Sequence, residues 1–278
     1  LVNAPSRYLF AVGDDWQGIN RFAGADIHVM TDFESHFGQG QRLFLKTTFR
    51  CPQTLCDLTS QFVMKNPAQI SKEVQTTNPR KGTTIHCYAV EEEQSLESLL
   101  EKHLATLYER VKAGKVKRNS DGRISVFVLG RYRRNRPVAL QAWQDRFADR
   151  LSITYSTIHG SKGLEADYVF LVHVTQGRHG FPSGIEDDPV HQLAMPEEDP
   201  FEFAEERRLF YVALSRAKQM VMIYTVEHKV SQFFVELRSD PYLVPIQSAQ
   251  GRTEVQACPE CQRGALTRRN GRNGPFWG

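Results

Sequence analysis

The sequence predicts an α/β fold built on a parallel sheet. Short apolar runs alternate with stretches of helical periodicity, the order expected of strands joined by helical crossovers. Several of the runs are apolar at nearly every position, as in residues 124–129 and 168–172, which suits strands covered on both faces. At 278 residues, 40% hydrophobic and 24% charged, the chain has ample length for one or two domains with a sizeable core.

The elements follow in order. Residues 8–12, Tyr-Leu-Phe-Ala-Val, read as a buried strand ended by Gly13-Asp14-Asp15, and residues 43–45 as a second short apolar run. Pro52 suits a helix's first turn, with Leu55, Leu58, Thr59, Phe62 and Val63 following at helical spacing. Residues 84–90 predict a strand. Leu96, Leu99, Leu100, Leu104, Leu107 and Val111 form one helical stripe. A strand is expected over 124–129, a helix over 138–151, strands over 152–158 and 168–172, a helix over 202–217 and a last strand over 220–225. Residues 241–257 exchange periodic apolar residues for Pro, Ser, Gln and Gly and read as a linker. No internal repeat is present.

Net charge is only +3, but it is segregated. Between Arg110 and Arg136 stand ten Lys/Arg and one Asp, and between Glu186 and Glu206 nine Asp/Glu and no Lys/Arg. The basic block is either a nucleic-acid footprint or a solvated surface. The acidic block, broken by Pro189, Pro196 and Pro200, reads as a loop rather than a metal site. Five cysteines without framework spacing point to a reducing compartment, with Cys51, Cys56 and Cys87 as small buried residues. No apolar run reaches the roughly 20 residues of a membrane span, and residues 1–7 have no signal layout and no initiator Met. An internal piece of a cytoplasmic protein is the expectation.

Four segments carry chemistry. Splitting a nucleoside triphosphate asks little covalent work of a protein; it asks for positioning and for positive charge aimed at the γ-phosphate. Gly13-Asp14-Asp15-Trp16-Gln17-Gly18-Ile19-Asn20-Arg21-Phe22-Ala23-Gly24 follows the first expected strand. Thr47-Thr48-Phe49-Arg50 precedes a helix. Thr157-Ile158-His159-Gly160-Ser161-Lys162-Gly163-Leu164-Glu165 lies between two strands. Glu205-Glu206-Arg207-Arg208-Leu209-Phe210-Tyr211-Val212-Ala213-Leu214-Ser215-Arg216 sets an unusual density of guanidinium groups among core residues. Singly, they admit plainer readings: a Gly/Asp turn, a surface arginine, an inert loop histidine, an amphipathic surface helix.

In series, the four segments resemble motifs III, IV, V and VI of UvrD/Rep-type superfamily 1 DNA helicases, in that family's order. The resemblance implies a RecA-like parallel sheet flanked by helices over residues 41–240, preceded over 1–40 by a remnant of a first RecA-like domain. It implies that Gln17 senses the γ-phosphate of ATP from the opposite wall. Phe49 would pack on the adenine, Arg50 reach the γ-phosphate, Glu165 meet the sugar, and Arg216 act as the arginine finger. Arg21 and Phe22 would contact single-stranded DNA, and Thr157, His159 and Lys162 the DNA backbone or the interdomain interface. Asn20 and Ala23 depart from the Tyr and Arg often found there. Arg207, Arg208 and Glu206 are expected in salt bridges that hold their helix.

Lys162 lacks the Gly-x-x-x-x-Gly-Lys spacing of a P-loop, and no acidic magnesium-binding motif is present. The resemblance therefore implies ATP with Mg²⁺ as cofactor of a whole helicase, with the chain alone expected to be inactive. Implied partners are single-stranded and duplex DNA and a first RecA-like domain. Translocation would run 3′→5′. A nucleotide-gated factor binding RNA polymerase or DNA without unwinding is the alternative. Thr157 follows Arg50 by only 107 residues, so no large inserted subdomain is expected between them. Finally, Cys258-Pro259-Glu260-Cys261 in a basic tail over 258–278 resembles the first half of a zinc ribbon. A plain basic tail is the other reading, and the Zn²⁺ site would be incomplete in this chain.

Overall fold

The computed structural model describes residues 8–79, 82–116, 119–185, 188–193, 195–197, 199–239, 242, 244, 246–248, 256–257, 265–266, 268–271 and 274–277. In chain order the elements are α1 (His28–Thr31), α2 (Phe33–Phe37), β1 (Thr47–Thr48), α3 (Gln53–Val63), β2 (Gln75–Thr76), β3 (Ile85–Val90), α4 (Ser95–Lys112), β4 (Ile124–Gly130), α5 (Leu140–Phe147), β5 (Leu151–Thr157), β6 (Ala166–Leu171), α6 (Pro189–Gln192), α7 (Ala204–Leu214), β7 (Ala217–Val226), α8 (Gln232–Arg238), β8 (Ile246–Ser248), β9 (Gln256–Ala257), β10 (Ala265–Leu266), β11 (Arg268–Gly271) and β12 (Gly274–Trp277).

Six strands form one sheet in the order β5-β4-β6-β7-β3-β8, and every pairing in it is parallel. Helices cover both faces, as such a sheet requires. Alternate strand residues enter two cores. On one face Val169, Leu171, Val221 and Ile223 meet Leu55 and Phe62 of α3, Phe210 and Leu214 of α7 and Phe233 of α8. On the other, Val126, Val128, Tyr168, Phe170 and Tyr224 meet the α4 stripe and Trp143 and Phe147 of α5. All six predicted stripe residues of α4 are buried. Glu97 in its first turn and Arg110 and Lys112 in its last match the helix dipole.

Some expectations are corrected. Residues 8–12 and 43–45 form no strand; Tyr8, Phe10, Leu43 and Leu45 are exposed. A strand's backbone groups need a neighbour, and the sheet among the described residues offers these two runs none. The helix predicted over 138–151 shrinks to α5. Val138 is exposed, because Glu97 of α4 accepts the Val138 and Ala139 amides at 2.7 and 3.1 Å, and Leu151 pairs with Ile124 to open β5. The helix expected over 202–217 ends at Leu214, since Ala217 already pairs with Ala166 in the sheet. Ile246–Ser248, inside the stretch read as a linker, adds the edge strand β8. Residues 51–156 hold only elements of the sheet domain and its short β1–β2 pair, with no inserted subdomain among the described residues.

Two features place the site. Helix α7 runs back along the sheet, so Glu206 in its first turn lies at the carboxyl ends of the strands and Arg216 beyond its last turn lies at the amino end of β7. The segment 158–165 joins the carboxyl end of β5 to the amino end of β6, a parallel crossover in eight residues. Parallel crossovers usually take about a dozen residues or more. This connection is short although it holds the 3₁₀ turn His159–Ser161, and a single loop touches both ends of the strands.

Candidate functional site

At the amino ends of β6 and β7 lies a cleft of about 60 Å³ lined by Gln17, Thr48, Arg50, Cys51, Cys56, Tyr211, Ser215 and Arg216, among others. Sites that enclose a small molecule run to ~300–1,000 Å³, so this is one wall of a site rather than a whole one. The three groups predicted at the γ-phosphate (Gln17, Arg50 and Arg216) all line it.

Arg216 is 1% exposed. Its Nε donates to the Val212 carbonyl at 2.9 Å, Nη1 to Leu164 O at 3.2 Å, and Nη2 to Ser215 Oγ at 3.1 Å and Gln17 Oε1 at 3.5 Å. Every one of these acceptors is neutral, and no carboxylate among the described residues forms a salt bridge with it. Burial, then the charge of Arg50 nearby, holds its pKa below the usual value. A buried guanidinium without a counter-charge is costly, and an anion entering the cleft would relieve that cost.

Arg50 is partnered. Its Nε donates to Glu165 Oε2 at 2.7 Å and Nη1 to Ser215 O at 3.4 Å. Lys218 Nζ meets the other Glu165 oxygen at 2.7 Å. The hydrogen bonds from Lys218 and then Arg50 hold the Glu165 carboxyl below its ordinary pKa. Lys218 had no role from the sequence; its place next to the finger position in the chain was the available signal. Phe49 stands exposed beside the cleft but not among its lining.

The Gln17 segment packs on the sheet domain itself. It is fixed there by Trp16, 1% exposed, which packs edge-on against Tyr211 at 5.4 Å and donates Nε1–H to Ile70 O at 3.0 Å. Lys72 lies over the Trp16 ring at 4.9 Å and pairs with Asp14 and buried Asp15. Arg208 Nε donates to Gly18 O at 2.6 Å, and Lys162 Nζ to Gln17 O at 2.9 Å. A tryptophan inside a Gly/Asp-rich turn signals such an anchor, and sequence reasoning passed over it.

At the other edge of the sheet, Phe22 is exposed, with its ring edge-on to His159 at 5.9 Å. Burial first, then the charge of Arg131, pushes the His159 pKa down to about 4, against a hydrogen bond to the Ile19 backbone that raises it. Lys162 is exposed. Thr157 Oγ1 accepts the Gly160 amide at 3.1 Å, which shapes the turn. Arg21 is turned away from solvent: its amide bonds Glu205 at 3.0 Å and its guanidinium the Pro196 carbonyl at 3.1 Å. The acidic stretch thus captures the side chain expected at DNA.

Among the described residues the acidic block carries the short α6 and enters α7, and its Asp199, Glu205 and Glu206 meet arginines. Asp199 meets Arg208 at 3.3 Å, and Glu206 holds Arg131 through both Nε and Nη2. No cluster among the described residues is placed to hold a metal. Arg207 pairs with Glu236 at 2.8 and 3.0 Å, stacked over Phe62. These are the helix-holding salt bridges expected of Arg207, Arg208 and Glu206. The basic block is divided: Lys112 and Lys115 lie below the amino end of β4, and exposed Arg133, Arg134 and Arg136 beyond its carboxyl end. Seven residues of strand separate the groups by roughly 20 Å. Cys51, Cys56 and Cys87 are buried free thiols. Cys258 and Cys261 lie outside the described residues, and zinc finds no support among the described residues.

The site thus joins a covered parallel sheet, an arginine-lined cleft at one end of its strands and, at the other end, exposed Phe22 against half-buried His159. Residues 133–228, which contain the third and fourth of the four segments, match the UvrD-like helicase C-terminal domain. The chain is 35% identical over 233 residues to DNA helicase IV of Escherichia coli K12, covering 83% of this chain and 31% of that protein. It is 29% identical over 122 residues to the ATP-dependent DNA helicase PcrA of Staphylococcus epidermidis, covering 40% and 15%. A solved C-terminal domain of a possible DNA helicase from Lactobacillus plantarum is 15% identical with a TM-score of 0.41, covering 72% of this chain and 98% of that one. The chain spans under a third of the length of these curated relatives. No helix among the described residues is long and apolar enough to cross a membrane.

Proposed function

We propose that this chain is the C-terminal motor half of an ATP-dependent DNA helicase, its sheet a RecA-like domain that supplies one wall of the nucleotide site. The observation that carries the reading is Arg216, a buried cation held in place by neutral acceptors, beside Arg50 and Gln17 in one cleft. Donors fixed before the reaction cost no reorganisation as charge builds on the γ-phosphate. Arg216 meets that charge directly. Arg50 joins it by exchanging Glu165 for phosphate, which frees Glu165 for the nucleotide's sugar. Magnesium accompanies ATP but has no cluster of ligands among the described residues here.

Single-stranded DNA passes the other edge, where Phe22 offers a stacking face and Lys162 a phosphate contact. Lys162 reaches the Gln17 carbonyl and Gln17 the finger, so the two edges are joined through one residue. Closure around ATP and reopening after hydrolysis would move DNA 3′→5′ past these loops. The test is Arg216→Ala in the full-length protein, read by ATP turnover and strand displacement. Loss of both supports the reading, and unchanged turnover refutes it.

A further inference from the structure

Two thiols in the cleft take no part in that scheme. Cys51 follows Arg50 directly, and Cys56 lies in the first turn of α3. Both are 5% exposed, and both line the cleft with Arg50 and Arg216. The Cys51 thiol donates to Ser215 O at 3.4 Å, the carbonyl that also receives Arg50 Nη1. Cys56 Sγ donates to the Cys51 carbonyl at 3.8 Å, which sets the two residues side by side. Cys87, by contrast, is sealed in β3.

We propose that Cys51 and Cys56 are a peroxide-responsive modification site, a thiol pair that closes reversibly to an intramolecular disulfide inside the arginine-lined cleft. Low thiolate pKa and access mark reactive cysteines. Cys51 borders the cleft, and it sits at the amino end of α3 beside two guanidiniums. The hydrogen bond with Cys56, then Arg50 and Arg216, lowers its pKa against burial. The same bond and burial raise Cys56, and burial raises Cys87. We assign Cys51, which adjoins Arg50 in the chain and shares its acceptor Ser215 O, as the attacking sulfur, and Cys56 as the resolving one.

Cys51 thiolate attacks one oxygen of hydrogen peroxide. The O–O bond breaks, hydroxide leaves and is protonated to water, and Cys51 becomes a sulfenic acid. Cys56 sulfur then attacks Cys51 sulfur; the S–O bond breaks, and the departing hydroxide takes the Cys56 proton as a second water. Two thiols lose two electrons and two protons, and one peroxide becomes two waters. A small thiol reverses the bond by exchange. The disulfide removes the Cys51 donation to Ser215 O and pulls the Arg50 turn toward α3. Any consequence for nucleotide rests on the function proposed above; the sulfur chemistry does not.

The test uses the 278-residue chain carrying Cys258→Ser and Cys261→Ser, treated with hydrogen peroxide, alkylated and cut with trypsin. Arg50 and Lys65 bound a peptide, residues 51–65, that contains both sulfurs. It should become lighter by two hydrogens, recover with dithiothreitol, and do so at least about tenfold faster than Cys87 is oxidised. Both thiols remaining alkylatable, or oxidation of one sulfur to sulfinic acid without a bridge, overturns the proposal. Adding Cys56→Ser should leave a dimedone-reactive sulfenic acid on Cys51. A dimedone adduct on Cys56 in a Cys51→Ser chain would reverse the assigned roles and overturn the mechanism.

Discussion

Arg216 reaches the side chain of Gln17, its Nη2 lying 3.5 Å from Oε1, although the two are 199 residues apart. The contact is long for a hydrogen bond, while the other three hold the guanidinium plane firmly. The geometry suits a group locked in direction with one loosely held donor to give to a ligand. Arg216→Lys keeps the charge and loses the fork. In the full-length protein it should lower ATP turnover by about 10³–10⁵ while a denaturant melt stays nearly unchanged. A turnover within tenfold of wild type would remove Arg216 from the reaction.

Trp16 decides where Gln17 stands. It fills a closed site against Tyr211 and Ile70 under the Lys72 ammonium. Trp16→Ala should cost about 3–5 kcal/mol in urea unfolding, the range for emptying a large aromatic site. It should also free residues 14–18 from the domain, read as faster amide exchange at Gln17 and Gly18. Stability within 1 kcal/mol of wild type, an order-of-magnitude threshold set by ordinary surface changes, would show that the segment is not anchored.

The divided basic block gives a salt test. Exposed Arg133 and Arg134 stand at the edge of the sheet that carries Phe22 and Lys162, and Lys112 and Lys115 at the other edge. With single-stranded DNA on the first edge, Arg133→Ala with Arg134→Ala should reduce the slope of log affinity against log salt by up to about 1.4. Lys112→Ala with Lys115→Ala should leave it unchanged. Equal effects from both pairs would place DNA elsewhere.

Periodicity and residue type made the sheet domain legible. The α4 stripe is clean because every apolar position faces one layer of strands, and 124–129 (Ser125 apart) and 168–172 are apolar because both faces are covered. Short exposed runs misled: 8–12 is as apolar as a core strand, but only a neighbouring strand makes a strand of it. The convergence of Gln17, Arg50 and Arg216 was legible from motif order, not from spacing. The anchoring of Gln17 was not, because it depends on Lys72 and Ile70, which belong to none of the four segments, and on Tyr211, remote in sequence. Arg21 went astray for a similar reason: its partner is the acidic stretch 175–184 residues downstream.

His159 tests the packing at the DNA edge. Its pKa is lowered from 6.5 to about 4, first by burial and then by Arg131. The unfolded chain therefore takes the proton first as pH falls. Stability should be flat above the ordinary histidine range and should decline as pH drops from about 6.5 toward 4, by roughly 2–3 kcal/mol for this group. At neutral pH the ring is uncharged, so under the proposed function any contact with DNA would be a hydrogen bond or stacking rather than charge. A nearby phosphate would favour the protonated ring, so adding single-stranded DNA should move the titration upward. Proton NMR of the ring Cε1–H in the free chain should give a midpoint near 4. A midpoint at the unperturbed value would mean the ring is solvated, with neither Phe22 nor Arg131 against it. A midpoint unmoved by DNA would remove His159 from the phosphate path while leaving the packing intact.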